Sequence, residues 1–213
     1  MGRKRTSKAE ATRGLLIDAA LKVIGRKGYA AATVDQIVEE AGVSKGVAYY
    51  HFKNKADMAT SVLERGLLEL TDGFDAIAAD AGSAAEALTR FIELFAARVF
   101  ENECFGRFFV TELWRNDRDW SDAMRQHEGR LMDILAGQIS RGQQEGTIRP
   151  ELDPEYVAVS MVGMVLTTSL FYTACDCDAG RLPLPAPTGD GLGKEQFVAR
   201  TVDFFRHACA VKV

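Results

Sequence analysis

Apolar residues recur at three- and four-residue spacing along nearly the whole of this 213-residue chain. That spacing places them on one face of an α-helix, whereas a half-buried strand needs alternation at every second residue. No stretch alternates with period two for long enough to form a strand. With 47% hydrophobic and 26% charged residues, the chain is typical of a globular protein, which excludes disordered and fibrous classes. The pattern predicts an all-α fold of about nine helices.

Capping residues and glycines mark where these helices begin and end. Thr33, Ser44 and Asn54 are typical N-caps, and Gly42 is a helix breaker. A segment rich in proline and glycine, 179–193, predicts a loop before the last helix. The predicted helices span about 8–26, 34–41, 45–51, 55–80, 83–101, 104–115, 119–145, 154–175 and 194–210.

Twenty residues without a charge, from Tyr156 to Cys175, reach the length of a membrane-spanning helix. Hydroxyl residues and a glycine interrupt this stretch, and its flanks are acidic rather than basic. We therefore expect a helix that is buried between protein surfaces, and no membrane partner. The basic N-terminus lacks a following apolar stretch, and the four cysteines are scattered. Both features favour a reduced, cytoplasmic location without a secretory signal.

Charge is distributed unevenly between the two ends of the chain. Residues 1–55 carry eleven basic and five acidic side chains, a net charge of +6, and the remainder carries −10. The total of −4 hides this asymmetry. A basic segment at one end indicates an anionic partner there, although a solvated basic tail is the alternative.

The residues from Thr33 to Phe52 read TVDQIVEEAGVSKGVAYYHF. They form two short predicted helices that meet at Gly42, which tolerates the positive φ of a sharp turn. This is the layout of a helix-turn-helix, whose second helix enters the major groove of DNA. Basic and aromatic side chains on that second helix suit contacts to phosphates and base edges. A helical hairpin with a solvated basic face is the alternative.

The stretch 33–58 resembles the DNA-binding domain of the tetracycline-repressor (TetR) family, through its T-x-x-x-I-x-x-x-A-G-V-S-x-G-x-x-Y-x-H-F-x-x-K core. The resemblance covers about residues 12–60, and the rest of the chain matches only in its helical layout. It implies a helix-turn-helix domain over 1–55 and a ligand-binding and dimerisation domain over 56–213, with the helix from about 54 connecting them.

The resemblance also implies roles for individual residues. The side chains expected to hold the DNA backbone are Thr33, Tyr49, His51 and Lys55. The positions expected to face base edges are Lys45, Gly46, Val47 and Tyr50. At Val47 an apolar contact, for example with a thymine methyl group, would replace hydrogen bonding.

Aromatic residues concentrate between positions 91 and 120. Helically spaced aromatics indicate a filled core, or they line an apolar cavity between helices. The resemblance favours the cavity, since the family senses small molecules in this domain. The residues expected to line it are Phe91, Phe95, Phe105, Phe108, Phe109, Trp114, Met124, His127, Met161 and Met164.

By the same resemblance, the uncharged helix and the last helix form a four-helix interface between two copies of the chain. A two-fold dimer would place two recognition helices on half-sites about 34–36 Å apart. The residues expected in this interface are Val157, Met161, Val165, Thr168, Phe197, Phe204 and Phe205.

These observations predict a dimeric regulator, a repressor that leaves a palindromic double-stranded operator when a small, largely apolar effector binds. We expect no cofactor, no metal and no catalytic residues. One alternative is a redox- or metal-responsive regulator that uses Cys175 and Cys177. Another is an enzyme with an accessory helix-turn-helix, disfavoured because the three histidines form no recognisable catalytic arrangement.

Overall fold

The computed structural model describes residues 8–101, 106, 108–109, 122–172 and 193–211, without the side chains of 101, 122–124 and 170. Within these ranges the chain forms eight helices and, besides them, a single β-bridge between Ile148 and Ala210. The all-α prediction is confirmed, and the helix predicted at 104–115 lies mostly outside the described residues. The helices are α1 (Lys8–Lys27), α2 (Val34–Ala41), α3 (Lys45–His51), α4 (Lys55–Asp80), α5 (Ala84–Glu101), α6 (Asp122–Gln144), α7 (Pro154–Tyr172) and α8 (Lys194–Cys209).

Side-chain caps set the boundaries of the three helices that follow α1. The Thr33 hydroxyl accepts from the backbone N–H of Gln36, and the Gln36 side chain accepts from the backbone N–H of Thr33. This reciprocal capping box satisfies two N–H groups that the helix leaves unpaired. Ser44 caps α3 through the N–H of Val47, and Asn54 caps α4 through that of Asp57. The predicted starts of these helices are therefore confirmed.

Helices α1, α2 and α3, which we call the head, pack against the first turns of α4. The face of α1 toward this core carries Leu16, Ala20 and Ile24, all buried. Phe52, directly after α3, is buried as well, and the guanidinium of Arg13 lies 5.0 Å from the centre of its ring. A small helical domain thus holds α3 at its surface.

Helices α4 to α8, which we call the body, form a bundle around the apolar stripe of α4. Val62, Leu63, Leu67, Leu70 and Phe74 form this stripe, and all five are buried. The Phe74 ring stacks on a phenylalanine of α5 with 4.3 Å between ring centres. Because α4 belongs to both parts, it joins the head to the body.

Polar contacts accompany this shared helix. Arg13 of α1 donates to the Ser61 hydroxyl of α4 at 2.8 Å, and Arg65 of α4 pairs with Asp18 of α1. Exposed ion pairs contribute little to stability, so the apolar core holds the head and α4 together.

None of the described helices has the length and apolar character required to cross a membrane. The uncharged segment from Tyr156 belongs to α7 as far as Tyr172, and the inward side chains of this helix join the core of the body.

Candidate functional site

The turn between α2 and α3 has the geometry of a helix-turn-helix. Gly42 ends α2 with φ 66° and ψ 30°, a left-handed conformation that glycine adopts without the steric penalty of a side chain. Its N–H donates to the carbonyl of Glu39, and the N–H of Val43 donates to that of Val38, both at 3.1 Å. These bonds fix the direction in which the chain enters α3.

Helix α3 is held through one small residue and is otherwise open to solvent. Ala48 is fully buried against the head, whereas Val47 is 36% exposed, Tyr49 50% and Tyr50 81%. An aromatic side chain as exposed as that of Tyr50 gains little from folding, because its apolar area stays in water. The arrangement leaves most of α3 free to contact another molecule.

Lys45, at the first turn of α3, is paired within the head. Its ammonium lies 2.7 Å from a carboxylate oxygen of Asp35 in α2. The hydrogen bond that Lys45 donates to Asp35, and then the negative charge of Asp35, raise the pKa of Lys45, so the lysine stays protonated. An exposed pair of this kind is weak. The Lys45 side chain is therefore held only loosely against α2.

Gly46 follows Lys45 on the same surface, and nothing inside the protein requires a glycine there. A Cβ added at Gly46 would find only the Ser44 hydroxyl oxygen, at 4.0 Å. The open space beside Gly46 would allow the backbone of another molecule to approach α3 closely.

The variant Gly46→Ala is expected to raise the thermal midpoint while weakening DNA binding. Alanine stabilises a helix by up to about 1 kcal/mol relative to glycine. Its methyl group would stand between α3 and an approaching DNA backbone. Thermal unfolding and fluorescence anisotropy with labelled DNA measure the two effects. Unchanged DNA affinity would show that Gly46 is not at a close contact.

Thr33 and His51 lie at opposite ends of this surface. The Thr33 hydroxyl already caps α2, and its residue is exposed. The His51 ring is half-buried and packs edge-on to Tyr50, with 5.0 Å between ring centres. Contacts of either residue with DNA stay a prediction.

Lys55 occupies a different environment from the one expected of a phosphate contact. Its ammonium donates to the carbonyls of Tyr29 at 2.6 Å, Ala32 at 2.8 Å and Ala30 at 3.5 Å. It also lies 4.3 Å from the centre of the Tyr29 ring. All three donors of the ammonium are directed at the turn between α1 and α2. Lys55 therefore joins the first residue of α4 to that turn, and its expected role at the DNA backbone stays a prediction.

Four of the aromatic residues expected to line a ligand cavity are buried. Phe91, Phe95, Phe108 and Phe109 all belong to the main apolar cluster. Their part in a ligand cavity stays a prediction, because a core residue and the wall of a closed cavity are both buried. His127 and Met164 are partly exposed. Phe105, Trp114 and the side chain of Met124 lie outside the described residues, so that part of the prediction is not tested.

A cavity of about 190 Å³ lies elsewhere in the body, at the end farthest from the head. It lies where α5 and α7 begin and where α6 and α8 end, and it is partly open to solvent; we call it the distal cavity. Of the predicted lining residues that the structure describes, only Met161 contributes to its wall. Its main apolar wall is formed by Leu88, Ile92, Ile139, Ile148, Val157, Met161 and Phe205.

Cys209 lies in the wall of the distal cavity near the end of α8. Burial raises the pKa of its thiol, and the positive charge of Arg149 opposes this effect only in part. A thiol of this kind is a poor nucleophile near neutral pH, because the thiolate is the reactive form.

Alkylation of Cys209 by iodoacetamide is expected to be slow at pH 8. The rate should rise only at a pH above the range in which the unfolded chain reacts, because the folded thiol holds its proton more tightly. Mass spectrometry of a variant with serine at the other three cysteines measures the rate with and without urea. Equal pH profiles in the two conditions would contradict a shifted pKa.

The described residues contain no group of three or more metal-ligating side chains. Cys175 and Cys177 lie outside them, so the redox- or metal-responsive alternative is not tested.

Most of the side chains expected at a dimer interface point into the protomer. Val157, Met161, Val165 and Phe197 are buried in the core of the body, so a second chain cannot contact them in this arrangement. The choice of α7 and α8 for the interface stays a prediction, and these four residues lie on the inward faces of the two helices. Thr168 and Phe205 are partly buried and Phe204 is 58% exposed.

The exposed face of α7 lies on the opposite side. Tyr156 is 74% and Val159 60% exposed, and Gly163 and Thr167 continue this face toward the C-terminus of the helix. Because α7 is apolar nearly all round, its sequence gives no sign of which side is buried. Spacing of three and four residues groups the exposed positions, but only packing shows which group is outside.

Models of two protein domains match this chain. Residues 16–62 match the model described as bacterial regulatory proteins, tetR family, and residues 85–173 match a tetracyclin repressor-like C-terminal domain. The two segments together cover well over half of the chain.

Known regulators resemble the chain to different extents. SrpR of Pseudomonas putida is 46% identical over 63 residues, which are 30% of each chain. TtgR, also of Pseudomonas putida, is 28% identical over 78% of this chain and 81% of its own. For the relatives that match this chain over the head with the higher identity, the chain spans less than half of their length. A tetR-family protein from Rhodococcus RHA1 superposes with a TM-score of 0.75 at 19% identity, covering 98% of this chain and 100% of its own.

Proposed function

Because this chain belongs to the tetR family of bacterial regulatory proteins, we propose that it is a sequence-specific transcriptional repressor rather than an enzyme. Residues 1–55 would bind a palindromic operator, and residues 56–213 would dimerise and bind a small, largely apolar effector. The observation that carries the proposal is the exposure of Tyr50 and its neighbours on a capped recognition helix.

In this proposal α3 enters the major groove with Lys45, Gly46, Val47 and Tyr50 toward the base edges. Lys45 supplies a long cationic donor suited to guanine, and Val47 an apolar surface suited to a thymine methyl group. The backbone contacts come from Thr33, Tyr49 and His51, and they set the register of α3 without reading the sequence. Lys55 supports these contacts indirectly, because it fastens the turn before α2 to the start of α4.

A recognition helix of seven residues makes few base contacts, so tight binding requires two of them. We assign the dimer interface to the exposed face of α7 and the adjoining part of α8. Tyr156, Val159 and Phe204 expose large apolar side chains there, and a second copy would remove them from water. The two heads would then meet two half-sites of a palindrome.

Release requires that the effector binds the DNA-incompetent arrangement of the dimer more tightly than the competent one. The body holds the apolar cavity that such a ligand needs. Helices α5 and α6 contribute to its wall and pack against α4, which begins in the head. Binding in the body is thereby linked to the position of α3.

Selection of bound sequences from a random double-stranded pool tests the proposal. The wild-type chain should recover a palindrome whose half-sites lie about one helical turn apart. Tyr50→Ala should fold normally, because the side chain is exposed, and should relax the preference at one position in each half-site. Recovery of sequences without any preference would overturn the proposal.

A further inference from the structure

The distal cavity has walls that suit a hydrocarbon rather than a polar ligand. Leucine, isoleucine and valine side chains from α5, α6 and α7 form most of its surface. Engineered apolar cavities of about 150 Å³ stay dry and bind benzene. On that scale the 190 Å³ of the distal cavity admits a chain of about seven carbons.

One arginine lines both this cavity and a neighbouring groove. Arg206 lies one helical turn from Val202 and from Cys209, which also line the wall, and the arginine itself is exposed. It also borders an open groove of about 890 Å³ between α5 and α8, so it stands where the cavity meets solvent.

The groove also carries the charged residues Arg90, Glu93, Lys194, Glu195 and Asp203. Arg90 pairs with Asp80 and Glu86, and Asp203 lies 3.3 Å from the imidazole of His207. Within the described ranges no carboxylate pairs with Arg206. An apolar cavity with an unpaired cation at its mouth is complementary to a molecule with a hydrocarbon tail and one anionic end.

We propose that the distal cavity binds a linear aliphatic carboxylate with a tail of about seven carbons. The tail lies among the aliphatic side chains, and the carboxylate accepts hydrogen bonds from the Arg206 guanidinium. This inference deepens the proposed function, since it gives the chemical class of the effector and the place where it binds.

Isothermal titration of the DNA-free protein with octanoate tests the inference. Octanoate should bind, and butanoate should bind about a hundredfold more weakly, because four fewer methylene groups are buried. Arg206→Gln should weaken octanoate binding about tenfold or more, since a charge-assisted hydrogen bond is stronger than a neutral one. 1-Octanol should bind more weakly than octanoate and should not respond to this change.

Three further variants separate the effects of the cavity and of the cation from general effects. Ala85→Phe places a ring at the exposed rim of the cavity and should weaken octanoate binding, whereas Ala79→Phe, on an exposed part of α4, should not. Arg200→Gln removes an exposed arginine of α8 outside the cavity and should leave affinity unchanged. No octanoate binding, or binding that Ala85→Phe and Arg206→Gln leave intact, would overturn the inference.

DNA binding is measured separately from octanoate binding. Failure of the proposed repressor function can therefore be distinguished from failure of the proposed carboxylate site. If octanoate binds as described and the operator stays bound, the site is supported and its role as the effector site is overturned. If another compound enters the body and releases the operator while octanoate does not bind, the proposed repressor stands and the carboxylate assignment is wrong.

Discussion

Lys55→Met is expected to lower the free energy of unfolding of the head by about 2–3 kcal/mol and to weaken binding to every DNA sequence. The Lys55 ammonium satisfies carbonyls of Tyr29, Ala30 and Ala32, two of them at 2.8 Å or less. Methionine fills similar space and offers no donor, so these carbonyls lose their partner. The turn before α2 would loosen, and α3 would lose its fixed position.

Lys53→Met is the matched control, because Lys53 is exposed and the change removes the same charge two residues away. We expect Lys53→Met to keep the thermal midpoint and, if Lys53 lies near phosphate, to reduce the salt dependence of binding. Lys55→Met should lower the thermal midpoint and leave the salt slope unchanged, since its ammonium is already occupied. A normal midpoint with a salt slope reduced by about one would assign Lys55 to a phosphate instead.

Val159→Glu is expected to convert the proposed dimer to a monomer and to weaken binding to the full palindrome by a hundredfold or more, on the scale of about 10²–10⁴ for linked sites. Val159 is 60% exposed on the apolar face of α7. In a two-fold dimer the new carboxylate would be buried without a partner, next to its counterpart if the two lie near the axis. Sedimentation velocity and anisotropy measure the two effects.

Val159→Thr is the control for this change, because threonine keeps the branched shape and adds no charge. It should remain dimeric, and both variants should bind an isolated half-site with the affinity of a single wild-type head. If Val159→Glu stays a dimer, the interface lies on another face of the body.

The helix boundaries could be predicted because they depend on local chemistry. Thr33, Ser44 and Asn54 cap helices through bonds within three residues, and Gly42 needs only its own backbone freedom. The stripe on α4 was equally predictable, because polar residues on its other face show which side is buried.

The remaining parts depend on tertiary packing. The bonds of Lys55 reach a turn more than twenty residues earlier in the chain, so no local pattern reveals them. Phe91 stacks on Phe74 of the facing helix, and sequence does not distinguish such a core contact from a cavity wall. The distal cavity is a space left between four helices, and spacing along one helix cannot predict it.

Because α4 is long, a small tilt of this helix in the body displaces the DNA-binding head by a distance that can be calculated. Twenty-six residues at a rise of 1.5 Å each make a rod of about 39 Å. If this rod tilts by about 5° around its end in the body, its end in the head moves by about 3 Å. That displacement is close to the 3.4 Å between successive base pairs. With Lys55 fastening the head to the near end, a shift smaller than one side chain can move α3 by about one base-pair step.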